Sequence, residues 1–280
     1  MMNDLLIQII QSLIFTSALR AKMNDYSVKD KVVIVTGATK GMGLASSKQF
    51  LKMGSKVVMV YFGDAENARK VEAALSDYPA QLLLIKADIT KAEDRQRIID
   101  ETINTFQRIN VLVNNAGIPA KAGFLKEAEE DFNRVIDVNL KAPIFLAKLV
   151  AEQMIKQAQG GSIINFSSVA GHRAMGGISY DAAKAGIIRA SQTMANTLGK
   201  YGIRVNSISP GTHKTEMNRY QWENRTELYE NMIAVTALKR AAEADEMAGT
   251  VLYLASDQSS YTTGTDILVD GGYLSHCPGR

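Results

Sequence analysis

Tyr180 and Lys184 stand four residues apart in Ser179-Tyr180-Asp181-Ala182-Ala183-Lys184, inside a run of helix-forming residues. Side chains at that separation share one helical face. A phenol beside an ammonium is an acid/base pair in outline. A free phenol titrates near pKa ~10, and a cation a few ångströms away favours the phenolate and draws that value toward working pH. Ordinary surface pairs also occur at this spacing, so the chemistry needs support from the rest of the chain.

Support begins at Thr36-Gly37-Ala38-Thr39-Lys40-Gly41-Met42-Gly43, which follows a β-branched run and leads into a helical pattern. Glycines here permit a tight turn, close approach to a pyrophosphate and close packing of helix on strand, while the helix N-terminus offers amide donors and positive potential. The spacing is G-x-x-x-G-x-G rather than G-x-G-x-x-G, and a tight strand-to-helix turn alone can demand such glycines. Its position at the first strand-helix junction favours a dinucleotide. A Walker-type loop is excluded, since no Gly-Lys-Ser/Thr follows. The second β-branched run ends Val60-Tyr61-Phe62-Gly63, with no carboxylate for ribose hydroxyls until Asp64. Lys40 in the glycine loop supplies a cation for a 2′-phosphate, so NADP(H) is favoured and NAD(H) stays open. A reach from the Asp64 carboxylate would reverse that preference.

The elements that must hold these groups read as α/β. Short apolar runs at Val32–Thr36, Lys56–Tyr61, Leu82–Lys86, Val111–Asn114, Ser162–Ser167, Arg204–Ser209 and Ile267–Val269 alternate with helical patterns near 43–53, 65–76, 91–107, 128–158, 179–200 and 243–256. Alternation of this kind builds a parallel sheet. Continuous hydrophobicity, as in Val32-Val33-Ile34-Val35, is what strands covered by helices on both faces require. The expectation is one domain over residues 24–280, a three-layer sandwich around seven parallel strands. Residues 212–243 are rich in large side chains (Met217, Tyr220, Trp222, Tyr229, Met232) and read as a helical substrate lid. A packed helical hairpin at a subunit contact is the alternative.

Composition narrows the function classes. With 280 residues and 32 basic against 29 acidic side chains, net +3, the chain has no basic stripe for nucleic acid. Its one cysteine, Cys277, has no internal partner, which fits a reducing, cytoplasmic setting. His172, His213 and His276 lack ligand spacing, so no metal site is expected. Residues 1–23 are apolar in part, but Gln8, Gln11 and Ser12 interrupt the run and it is shorter than the ~20 residues a bilayer needs. They are expected to form an amphipathic or disordered extension, without membrane association.

The glycine loop, Asn114-Asn115-Ala116-Gly117, Ser167-Ser168 and Tyr180-x-x-x-Lys184 together resemble the short-chain dehydrogenase/reductase family over residues 30–273. Asp88, Asn139, Pro210-Gly211 and Val269-Asp270-Gly271-Gly272 extend the likeness. The resemblance implies a Rossmann-like sheet, a homotetramer, a carbonyl or alcohol substrate, and a catalytic set of Asn139, Ser168, Tyr180 and Lys184. Ser168 directly precedes Val169-Ala170-Gly171, where the family's serine sits, whereas Ser167 better matches the usual distance to the tyrosine.

In that set, Ser168 and Tyr180 would donate to a carbonyl oxygen, and Tyr180 would transfer the proton. Lys184 would tune Tyr180 and reach the nicotinamide ribose, and Asn139 would hold a water. Without the resemblance, Asn139 also reads as a cap or kink in the 128–158 helix. The resemblance further implies cofactor contacts from Gly37, Thr39, Lys40, Gly41 and Gly43 around the pyrophosphate and adenosine ribose. Asp88 and Ile89 would meet adenine, and Asn115, Ala116 and Gly117 the ribose. Pro210, Gly211 and Thr215 would sit at the nicotinamide. Asp88 alone also suits a turn or helix cap. The leading reading is an NAD(P)(H)-dependent oxidoreductase interconverting a secondary alcohol and a ketone. A dinucleotide-binding sensor or assembly protein with little turnover is the alternative, and acyl thioesters, sugars, steroids and small diols all remain open as substrates.

Overall fold

The computed structural model describes residues 26–275. The extension expected at 1–23 lies outside them, as do His276 and Cys277. The chain runs β1 (Val32–Thr36), α1 (Gly41–Lys52), β2 (Lys56–Tyr61), α2 (Ala65–Ala74), β3 (Leu82–Lys86), α3 (Ala92–Phe106) and β4 (Val111–Asn114). It continues through α4 (Glu129–Ile136), α5 (Ala142–Gln157), β5 (Gly161–Phe166), α6 (Ile178–Leu198) and β6 (Ile203–Pro210). A two-residue strand β7 (His213–Lys214), helices α7 (Arg219–Glu223) and α8 (Glu227–Val235), β8 (Ala242–Glu243), α9 (Ala248–Ala255) and β9 (Asp266–Val269) complete it.

The expected seven-stranded parallel sheet forms, in the order β3-β2-β1-β4-β5-β6-β9. Alternate residues of each strand feed opposite faces. Ile34, Val58, Leu112 and Ile163 pack under Leu146, Val150 and Met154 of α5 on one side. Val33, Val57, Val113 and Ile164 pack under Phe50 and Leu51 of α1 and Val251 and Leu252 of α9 on the other. This two-sided burial is why the strands read as unbroken apolar runs. The strand order reverses between β1 and β4, so the chain leaves these neighbouring strands in opposite directions. A crevice opens there, at the carboxyl ends of the strands where ligands of such sheets bind.

Two features differ from the sequence reading. The helix expected over 128–158 is interrupted by a π-helical turn at Asp137–Lys141. Pro143, at the start of α5, has no N–H to give the Asn139 carbonyl four residues back, and its ring crowds that carbonyl. The wider turn relieves the conflict. Second, the 212–243 segment is closed at its base, because β7 pairs in parallel with β8 and Lys214 Nζ lies 2.6 Å from Glu243 Oε1. Strands of two residues carry no readable alternation. Among the described residues no helix is long and apolar enough to cross a membrane.

Candidate active site

Helix α6 delivers Tyr180 and Lys184 one turn apart, on the face turned toward the end of β5. Lys184 is only 4% exposed. Its ammonium donates to the Phe166 carbonyl at 2.8 Å and lies 5.5 Å from the centre of the Tyr180 ring. Burial pulls its pKa down to about 8. The phenol moves the other way. Burial pushes Tyr180 up, a hydrogen bond with Ser168 pulls it partly back, and the Asp181 carboxylate adds to the rise.

This corrects the expectation of a phenol tuned downward by its lysine. Burial of the phenol itself is the largest cause of the rise and outweighs the Ser168 hydrogen bond that pulls the other way. At neutral pH the pair is a neutral phenol over a buried, protonated lysine.

The two serines after β5 are assigned by geometry. Ser168 lines the cavity with Tyr180 and accepts from the Ala170 amide at 3.2 Å. Ser167, 3% exposed, donates to the Lys184 carbonyl at 2.7 Å, which ties β5 to α6. The turn at Val169–Gly171 presses so closely on α6 that a Cβ on Gly171 would stand 2.8 Å from both the Lys184 carbonyl and Ser167 Oγ.

Asn139, in the π turn, donates to the Ile118 carbonyl at 2.8 Å and accepts from the Ile118 amide at 2.9 Å. Its side chain thereby clamps the loop after β4 through one residue's amide and carbonyl. Gly117 sits between Asn139 and Lys184, where an added Cβ would lie 3.2 Å from Asn139 Oδ1 and 3.6 Å from Lys184 Nζ.

The glycine loop fits a dinucleotide. Gly37 and Gly41 take left-handed φ angles of 65° and 50°. Helix α1 starts after Lys40 with no side-chain cap, so its first amides have no partner inside the helix. A Cβ on Gly43 would collide with the Gly37 carbonyl and the Asn115 amide group. Anion-binding amides facing an open crevice, with the phenol and lysine at its far end, suit a pyrophosphate joined to a reacting ring.

Several predicted contacts turn out to hold the cradle itself. Asn115 gives its amide N–H groups to the Thr36 and Gly37 carbonyls at 2.9 and 3.2 Å and, with Gly117, lines the cavity. Thr215 hydrogen-bonds Asn218 at 3.1 Å and caps the turn that leads into α7, while its methyl group lies beside Gly41. Asp88 accepts from the Thr90 amide and hydroxyl at 3.0 and 2.7 Å, and Ile89 turns into the core at 7% exposure. Thr39 is buried and gives its carbonyl to Asn67 at 3.0 Å. Pro210 and Gly211 line the cavity with Tyr180. Lys40, expected to be a free cation, is paired with Asp64 at 2.9 Å. Asp64 gets there because it caps α2, accepting from Asn67 N, which turns its second oxygen back across the glycine loop.

Glu127 and Asp181 were not singled out in the sequence. Glu127 accepts from both the amide and hydroxyl of Ser179, and Asp181 Oδ2 accepts from the Met175 and Gly176 amides at 2.8 and 3.2 Å. These carboxylates fasten the loops after β4 and β5 to the first turn of the helix that carries Tyr180. An Asp in a first helical turn, just after Gly176-Gly177, was a readable capping signal. Glu127, 52 residues from its partner, gave none. His172 pairs with Asp266 at 2.8 Å, and His213 with the Gly211 carbonyl at 3.2 Å. Among the described residues no cluster of His, Cys, Asp or Glu could hold a metal.

Residues 37–274 match a family model described as enoyl-(acyl carrier protein) reductase. The chain is 36% identical over 248 residues to an L-rhamnose-1-dehydrogenase of Scheffersomyces stipitis, covering 86% of this chain and 95% of that one. It is 35% identical over 256 residues to an NADP-dependent mannitol dehydrogenase of Hypocrea jecorina, covering 89% and 94%. The crystal structure of a short-chain type dehydrogenase/reductase from Mycobacterium marinum superposes with a TM-score of 0.84 at 30% identity, over 91% of this chain and 99% of that one.

The division of labour between the serines is open to direct test. Ser168→Ala is expected to lower kcat/KM for carbonyl reduction by about 10²-fold or more with the fold intact. Ser167→Ala is expected to lower unfolding stability by about 1 kcal/mol and to leave more activity than Ser168→Ala. Steady-state kinetics and urea unfolding of both variants check this.

Proposed function

Because the chain belongs to the short-chain dehydrogenase/reductase family and is thus an NAD(P)-dependent oxidoreductase, we propose that it interconverts a ketone and a secondary alcohol with Tyr180 as proton carrier. The observation that carries this reading is that Ser168, Tyr180 and Lys184 line one cavity, with the lysine buried at 4% exposure beneath the phenol ring. A bound nicotinamide ring supplies or accepts the hydride. In reduction, negative charge grows on the carbonyl oxygen, and the hydroxyls of Ser168 and Tyr180 donate to it. The carbonyl carbon takes the hydride with its electron pair, and the oxygen takes the Tyr180 proton. Oxidation reverses each transfer, with Tyr180 as the base. A phenol kept neutral by burial starts as the acid, which suits reduction.

Lys184 holds a proton beneath the phenol and, through its bond to the Phe166 carbonyl, fixes α6 against β5. Asn139 anchors the loop after β4. Its own carbonyl, which Pro143 cannot serve, is the natural seat for a water linking Lys184 to solvent. A dinucleotide-binding protein with little turnover would need none of this. Nothing in the site is spoiled, since Asn139, Ser168, Tyr180 and Lys184 are all present and convergent.

For the cofactor, the Lys40–Asp64 pair at 2.9 Å alters the expectation from sequence. The lysine can meet a 2′-phosphate only by leaving Asp64, and Asp64 can meet ribose hydroxyls only by leaving the lysine. The reading is a site open to both dinucleotides, in which the state of one exposed ion pair sets the preference.

Tyr180→Phe is expected to lose about 10²–10⁴-fold in kcat/KM for carbonyl reduction. Wild-type reduction is expected to slow as pH rises through about 8, where Lys184 gives up its proton. A Tyr180→Phe protein with undiminished turnover would overturn the assignment. In parallel titrations, Lys40→Ala is expected to weaken NADPH binding with NADH nearly unchanged, and Asp64→Asn to strengthen NADPH. Equal NADPH affinity in wild type and Lys40→Ala would defeat the role given to the pair.

A further inference from the structure

A substrate that reaches Tyr180 leaves water behind, so each hydroxyl it carries needs a partner on the cavity wall. Each one left unpaired costs about one to two orders of magnitude in affinity. The wall of this cavity, about 290 Å³ in volume, has few partners to give. The Asn115 amide N–H groups are spent on the glycine loop, the Ser167 hydroxyl proton on the Lys184 carbonyl and one Lys184 N–H on the Phe166 carbonyl. On the lid, Asn218 takes up Thr215 and gives its amide to the His213 carbonyl. Among the described residues His213 Nε2 has no partner, but it is closed off from solvent, and no Asp, Glu or Arg lines the cavity. Beyond Ser168 and Tyr180, the side-chain groups left to meet a polar group are Asn115 Oδ1, the Thr212 hydroxyl beside Met232, and Gln221 and Tyr229 on the lid.

What the wall does present is thioether and hydrocarbon. Met175 from the loop after β5 and Met217, Leu228 and Met232 from the lid all line the cavity. Two of their sulfurs are steadied by hydroxyls: Tyr273 Oη lies 3.4 Å from Met175 and Thr212 Oγ1 lies 4.0 Å from Met232. Met217 and Leu228 are 50% and 61% exposed, so the lid keeps apolar surface in water that a hydrocarbon guest would cover. Unbranched, polarizable methionine side chains adapt to apolar shapes and offer hydroxyls nothing but a weak acceptor.

We propose that the site takes a ketone, or its secondary alcohol, carried on a largely hydrocarbon body with at most one or two further polar groups, and that it selects against free sugars and polyols. Met175, Met217 and Met232 cover the hydrocarbon, and Gln221 and Tyr229 meet the polar groups. The inference rests on the hydride-transfer reading above and departs from the sugar and polyol named for two of the relatives.

The test compares kcat/KM of the full-length protein, with NADPH and with NADH, for 4-alkylcyclohexanones and 2-decanone against fructose. Cyclohexanols are compared with L-rhamnose and D-mannitol in the oxidative direction. The apolar substrates are expected to lead by about 100-fold or more, and a sugar or polyol turned over equally well overturns the proposal. Met232→Gln is expected to raise KM for the alkylcyclohexanone several-fold with kcat much less affected. Met217→Gln, half exposed and tolerant of change, gives the same readout if the first variant folds poorly, and an unmoved KM counts against the proposal. Calorimetric titration of the same compounds separates the two levels of inference. An alkyl ketone bound but not reduced supports the substrate class and overturns hydride transfer. A sugar turned over does the reverse, and binding of neither class overturns the substrate class.

Discussion

A lysine buried at 4% exposure with its ammonium on one backbone carbonyl is the constraint around which this structure is arranged. Taking a cation out of water is expensive, and the chain answers by giving Lys184 a charge-assisted hydrogen bond at the end of β5 and letting its pKa fall to about 8. Because that value lies below the unfolded one, the group's contribution to stability is present above the unfolded pKa. It is lost as pH falls through about 8. A fold that carries such a cost needs a use for the proton, and the neutral phenol of Tyr180 directly above supplies one.

The surroundings follow from holding that helix still. Ser167 and the turn at Gly171 seat α6 on β5, while Glu127 and Asp181 draw two loops onto its first turn. Asn139, in a π turn forced by Pro143, pins the loop that carries Gly117 beside the lysine. On the other bank of the crevice, Asn115 and Thr36 lock the glycine loop to the end of β4, with Thr36 Oγ1 accepting from the Asn115 and Ala116 amides at 3.1 Å each. Hydrogen-bonded walls on both banks leave the 212–243 segment as the element free to differ in shape. Its methionines and few unspent polar groups therefore bear on the choice of substrate more than the fixed geometry below them does.

Much of this was legible in the sequence because it rests on local pattern. Val32–Thr36 and Lys56–Tyr61 read as two-sided strands, and the glycines and Tyr180-x-x-x-Lys184 announce themselves by spacing. What stayed hidden depends on long-range placement. Asp64 reaches Lys40 only because it caps α2. Glu127 meets Ser179 across 52 residues, and the ladder of β7 with β8 is too short to leave a period. The direction of the Tyr180 shift was hidden for a related reason: sequence shows a neighbouring cation but not the burial of the phenol, which pushes its pKa up. Ser167 and Ser168, equal in composition, are told apart in the structure by their partners, since Ser167 ties itself to the Lys184 carbonyl and Ser168 does not.

The most direct test of this account is the titration of Lys184 itself, followed by NMR on protein labelled at the lysine side chains, with Lys184→Met identifying the resonance. A midpoint near 8 is expected. A midpoint near the ordinary lysine value of ~10.4 would mean that the ammonium is solvated rather than held beneath the phenol, and would contradict the arrangement on which the proposed chemistry depends.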